Sequence, residues 1–288
     1  MERLEFFPLL SIQSGLLCLV AQVLLSGLFA YALPTGPWKK QPILTGHQVI
    51  CLPLMIYLLH QGFCAWYGEQ QDLVDQGMEG RIFGLSPRGV DMARIVWGMM
   101  LFWDIPISFF SPSLQDPLMV MHHFGMCFVA GAAMGAFSNN QPVGSYYAPF
   151  FFGVIEISSV FLAIVDIFHP KNAAWFEWVN TSTSWAGNMA RKINEASRVL
   201  FAISYLIVRC GMFPYVIFST CLKDFYQAGM LPDEARHGVP KLIIWVVFFL
   251  SLAFTLLQLN WGVLVAKQVA KAVGILPSKK ANKPVKDE

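Results

Sequence analysis

Apolar residues along this 288-residue chain fall into long runs, not into the strict alternation of half-buried strands or the one-sided spacing of surface helices. A helix that crosses a bilayer needs about 20 mostly apolar residues. Seven runs meet or approach that length: 8–33, 42–67, 95–111, 117–138, 144–168, 198–222 and 241–266. Between them stand stretches rich in breakers and polar groups, among them LPTGPWKKQP, EQQDLVDQGMEGRIFGLSPRG, SPSLQDP, SNNQPVG and YQAGMLPDEARHGVP. The pattern predicts an all-α, polytopic membrane protein of about seven transmembrane helices. Residues 1–41 form a first helix and linker, 42–271 a helical membrane domain, and 272–288 a basic tail whose SKKANKPVKDE reads as disordered. Residues 169–197 are amphipathic, and no tandem repeat or second soluble domain is visible.

Composition agrees: 56% of residues are hydrophobic and 13% charged, about half the charged fraction of a soluble domain. A net charge of +2 is too small for a nucleic-acid binder. The six cysteines lie in apolar runs without a CxxC pair, so they read as reduced packing residues. The first apolar run is too long, and flanked by Glu2, Arg3 and Glu5, for a cleaved leader, and is expected to remain as a membrane helix.

Lys and Arg counts set the orientation. With the carboxyl terminus in the cytosol, twelve such residues lie on the cytosolic side against seven outside. Pro117 then opens the fourth helix at the cytosolic face. His122 and His123 sit roughly 8 to 9 Å along it, in the inner half of the membrane.

Ionisable groups within the bilayer are costly, which makes each a candidate. They are Asp104, His122, His123, Glu156, Asp166 and Arg209. Asp104 lies about 12 Å from the cytosolic side and Asn260 about 9 Å, so a polar pocket of Asp104, His122, His123, Asn260 and Asp166 is geometrically open. Glu156 and Arg209 are deeper and meet near the midplane, either as a packing ion pair or as part of the chemistry. Adjacent histidines point about 100° apart on a helix, so one partner can hardly satisfy both. An imidazole with an ordinary pKa of about 6.5 serves as base, acid or nucleophile at neutral pH. No metal is expected: His47, His60, His169 and His237 add no HxxxH or HxxHH cluster. Nor is a retinal expected, because the last helix has no lysine between Lys241 and Lys267.

In order along the chain, RIFGLSPRG, GMMLFWD ending at Asp104, MHHFG, GVIEISSVF with Glu156, SRVLFAISYLIVR ending at Arg209, and LNWGVLVAKQ with Asn260 and Trp261 resemble the TLC-domain family, which includes ceramide synthases. The resemblance implies six helices, the second to seventh, around a membrane-embedded cavity, with residence in the endoplasmic reticulum. It also implies that His122 and His123 correspond to the essential pair that moves an acyl group from acyl-CoA to a sphingoid amine. Where ceramide synthases carry the further aspartates of an HDxxD segment, this chain has GVIEISSVFLAIVD, closer to the divergent TLC-domain proteins.

Two function classes follow. One is an acyl-CoA-dependent lipid acyltransferase with His122, His123 and Asp104 as catalytic candidates, Glu156, Arg209, Asn260 and Trp261 as substrate-binding candidates, and no cofactor. The other is a non-enzymatic lipid-binding or membrane-homeostasis protein using the same cavity. Membrane lipids are the expected partners in both. The sequon Asn180-Thr181-Ser182 falls on the cytosolic side and should carry no glycan.

Overall fold

The computed structural model describes residues 7–277. The basic tail from 278 onward, and Glu2, Arg3 and Glu5 at the other end, lie outside the described residues. The described residues form helices joined by short turns, with no strand among them. Proline and cap chemistry set the helix starts. Pro42, Pro87 and Pro117 each stand at a first helical position, where a missing N–H costs nothing. Asp116 accepts from the N–H groups of Leu118 and Met119, and Ser86 from that of Gly89.

Seven long helical rods result, the third assembled from consecutive segments over 87–108. Five are long and apolar enough to cross a membrane by themselves: Leu9–Ala32, Pro42–Gly68, Ala148–Ile167, Trp185–Met230 and Lys241–Ala272. Pro117–Ala133 is apolar but shorter, and the third rod carries Arg88, Asp91 and Arg94 in its first two turns. The third and sixth rods begin at Pro87 and Trp185, earlier than the apolar runs at 95 and 198, because amphipathic turns continue the helix beyond the apolar stretch. Part of the amphipathic 169–197 stretch forms a separate helix, Ala173–Thr181.

The second, third, fourth, seventh, sixth and fifth rods contact one another in that cyclic order, closing a six-membered bundle. The first rod packs outside it against the second and third. Small residues permit the closest crossings. A Cβ on Gly98 would stand 1.9 Å from the Ser11 carbonyl oxygen, and one on Gly62 would stand 2.5 Å from the Gly153 Cα.

The third and sixth rods widen in mid-course where prolines follow. Pro106 cannot bond back to Phe102, and in the turn before it the Ile105 N–H reaches five residues back to Met100. Likewise the Phe213 N–H, just before Pro214, reaches Val208. These π-helical turns, Met100–Asp104 and Tyr205–Met212, carry Asp104 and Arg209.

At the end of the bundle away from His122 and His123, the RIFGLSPRG segment is fastened to its surroundings. Arg81 donates twice to Asp224, at 2.6 and 2.8 Å, and the Tyr147 hydroxyl donates to the same carboxylate. The Ser86 N–H donates to Ser145 Oγ and the Ser145 hydroxyl to the Gly84 carbonyl, while Gln141 Nε2 reaches the Phe83 carbonyl.

Candidate active site

Asp104, 7% exposed, is the hub of the end of the bundle that carries His122 and His123. His47 from the second rod places Nε2 2.7 Å from Oδ1, and His123 from the fourth places Nδ1 2.5 Å from Oδ2. A carboxylate only accepts, so His47 Nε2 carries the hydrogen of the bond to Oδ1, while His123 meets Oδ2 as an ion-pair contact. Asp104 thus ties three rods together. The His47 ring stacks on Trp103, with centroids 4.9 Å apart and planes 26° from parallel. Trp103 Nε1 donates to Gln22 Oε1 on the first rod, and Gln22 Nε2 donates to the Ile43 carbonyl.

His122 has a different environment. Its ring meets the edges or faces of Phe254 and Trp261 at centroid distances of 5.2 and 5.7 Å. Its Nδ1 is buried and has no hydrogen-bond partner among the described residues. It stands beside a narrow slot in the bundle interior, lined mainly by Met126, Val129, Phe152, Ile155 and Phe213. The slot has room for little more than one water molecule. The cavity expected inside the six helices is therefore an apolar crevice closed by aromatic rings, with one imidazole on its wall.

Arg209 Nη2 is 3.6 Å from Glu156 Oε2, so the two deep charges do meet. The guanidinium is held more closely by hydroxyls: Nε donates to Ser158 Oγ at 2.7 Å and Nη2 to Ser159 Oγ at 2.8 Å. Tyr205, one turn earlier, packs its ring 5.9 Å from the guanidinium carbon and donates its hydroxyl to Gln258 Oε1.

Those helices matched a family model described as the TLC domain, over residues 37–267. The chain belongs to the TLC-domain family. No curated protein and no solved structure matches it. Membership gives this multi-pass membrane protein a lipid-related role. The match begins after the first rod, yet Gln22 of that rod braces Trp103 and through it His47, so the TLC domain here leans on a helix outside its own boundary.

The expected pocket needs two corrections. Asn260 does not join it: the residue is exposed, while Gln258, two positions earlier and 1% exposed, faces the slot. Distance from the membrane edge fixes height along a helix but not azimuth, and two residues turn the side chain by about 200°. Asp166 is also elsewhere, 2.8 Å from Lys171 Nζ and 3.2 Å from Gln48 Nε2. Trp261 does reach His122. His47 lacks metal-ligand spacing and so drew no attention in the sequence, although it stands five residues into the second helix, as far from that helix's start as His122 is from the start of the fourth. Among the described residues no group of three His, Cys, Asp or Glu is placed to hold a metal.

These placements predict a contrast. Asn260→Ala should change the thermal midpoint of the detergent-solubilised protein negligibly. Gln258→Ala should lower stability by about 1 kcal/mol, because it deprives the buried Tyr205 hydroxyl of its side-chain acceptor.

Proposed function

We propose that this TLC-domain protein transfers an acyl group from acyl-CoA to a lipid amine or hydroxyl, with His122 as the proton acceptor. The observation that carries this reading is the buried, unpartnered Nδ1 of His122 beside the slot. Leaving such a group unsatisfied costs about 1–3 kcal/mol, and a substrate N–H or O–H would satisfy it. The lining of the slot is mainly apolar, and an alkyl chain would enter it by parting the rings of Phe152, Phe213 and Phe254. The acceptor's proton passes to His122 Nδ1 as its nitrogen or oxygen attacks the thioester carbonyl; the tetrahedral intermediate collapses, and the departing CoA thiolate takes the proton back. His123, anchored on Asp104 and through it on His47, fixes the fourth rod and hence the height of His122. Glu156 and Arg209 supply charge near the slot for the acceptor head group, and Trp261 packs the His122 ring.

The same unpartnered Nδ1 serves a second reading, in which the bundle holds a lipid through its head group without changing it. Purified protein incubated with acyl-CoA and a panel of lipid amines and alcohols separates the two. Acyl-lipid product supports transfer. No product under any condition, with intact lipid found by mass spectrometry of the purified protein, supports holding.

We further propose residence in the endoplasmic reticulum with a cytosolic carboxyl terminus, which opens the histidine end to cytosolic acyl-CoA. Asn180 is exposed at that end and should carry no glycan in cells. An endoglycosidase-sensitive shift that disappears in Asn180→Gln would reverse the orientation.

A further inference from the structure

Asp104 serves a second group besides the histidine pair. His47 uses Nε2 on the carboxylate, which leaves Nδ1 of a neutral ring as an acceptor. Cys51, one helical turn further along, places Sγ 3.4 Å from that Nδ1 and 3.8 Å from Nε2, so a small rotation about the Cys51 side chain aims the S–H at the Nδ1 lone pair. Thiol, imidazole and carboxylate therefore stand in the order that activates a cysteine nucleophile: a base within reach of the S–H, and an acid residue fixing the tautomer and orientation of the base. Trp103 stacked on the imidazole and Gln22 behind Trp103 hold the ring against rotation.

The same second helix contains its own comparison. Cys64 and His60 have the identical four-residue spacing, with Sγ 3.9 Å from Nε2, but among the described residues no carboxylate hydrogen-bonds that ring. What distinguishes Cys51 is the carboxylate behind its histidine, contributed by another rod. Cys51 is half-buried and packs, as do Leu19, Ile50 and Leu54, against the buried Cys18, Met99 and Trp103 at the seam of the first three rods, an apolar setting for an alkyl chain arriving from the bilayer.

We propose that Cys51 is an acyl-accepting thiol, with Cys51, His47 and Asp104 forming a nucleophilic site that takes a long-chain acyl group from acyl-CoA as a thioester. Sγ attacks the thioester carbonyl carbon while its proton passes to His47 Nδ1. The bond from carbon to the CoA sulfur breaks, and the CoA thiolate recovers the proton from His47, leaving S-acyl-Cys51 and free CoA. One thioester replaces another, so no oxidant, reductant or further co-reactant is required. The proposal rests on the acyl-transfer reading only for its donor.

The test uses the full-length protein in nanodiscs with an alkyne-bearing palmitoyl-CoA. The label is read by in-gel fluorescence with and without hydroxylamine, and its position by peptide mass spectrometry. The expected result is a hydroxylamine-labile label on Cys51 that exceeds the label on Cys64 by roughly tenfold or more, the low end of what a positioned base contributes falling near a hundredfold. Cys51→Ser should abolish it, Cys64→Ser should leave it unchanged, and His47→Gln and Asp104→Asn should each reduce its rate by roughly tenfold or more. Because those last two variants could disturb packing, size-exclusion profiles are compared, and the Cys51-to-Cys64 labelling ratio within wild-type protein decides by itself. Equal labelling of the two cysteines, or label surviving in Cys51→Ser, overturns the proposal. Acyl-lipid product is followed in the same incubations. Product formed without a Cys51 label overturns the thiol proposal and leaves the transfer reading standing, whereas a Cys51 label without acyl-lipid product upholds the thiol and removes the onward transfer.

Discussion

His122→Ala should lower acyl transfer by roughly 10²- to 10⁴-fold, the usual contribution of a positioned general base, while leaving the protein folded. The second half of that expectation distinguishes His122 from its neighbour. His122 makes ring contacts to Phe254 and Trp261, but its buried Nδ1 has no partner, so truncation severs no hydrogen bond at that atom. His123→Ala instead deprives a buried carboxylate of one of its two imidazoles and detaches the fourth rod from the third at that level. It should reduce activity and the thermal midpoint together. Product formation in nanodiscs, measured beside unfolding scans of both variants, checks the asymmetry. Equal loss of stability in the two would mean that His122 is only a packing residue.

Arg81→Ala should be the most destabilising single change at the far end of the bundle, about 3–5 kcal/mol. Asp224 is 3% exposed, and its side chain takes both guanidinium hydrogen bonds as well as the Tyr147 hydroxyl. Removing Arg81 leaves that carboxylate buried with the phenol alone. The reverse change, Asp224→Ala, frees a guanidinium that is 17% exposed and can turn toward water, so it should cost less. Chemical or thermal unfolding of both variants in one detergent would show the order. If Arg81→Met with Asp224→Leu restored most of the loss, the penalty would belong to the stranded charge and not to the pair.

Much of this architecture could be read from residue order. Apolar run lengths placed seven rods, and counting residues from helix ends placed Asp104, His122 and His123 at one level and Glu156 with Arg209 deeper. These are quantities along a helix axis, which 1.5 Å per residue conveys directly. Errors came from rotation around the axis and from partners far apart in sequence. Asn260 has the right height and the wrong face, and Gln258 the reverse fortune. His47 pairs with a residue 57 positions away, a contact that no local pattern announces. The involvement of the first rod was equally hidden, because Gln22 acts through an indole on another helix. RIFGLSPRG, prominent in the resemblance, does its work as a fastening remote from His122 and His123.

The proline two residues past Asp104 governs more than the shape of one turn. A π-helical turn accommodates one residue more than an α-helical turn of the same height. The Met100–Asp104 turn therefore resets the angular phase of everything upstream relative to everything downstream. In a chain where Pro106 became alanine, the restored Phe102 acceptor would reward ordinary winding. The carboxylate would then be out of phase with either His47 or the 117–133 helix by about one residue's rotation, near 100°. Alignments of this segment that shift it by a single position would misassign the acid, and insertions here are mechanically unlike insertions in the loops: they rotate one half of the site against the other.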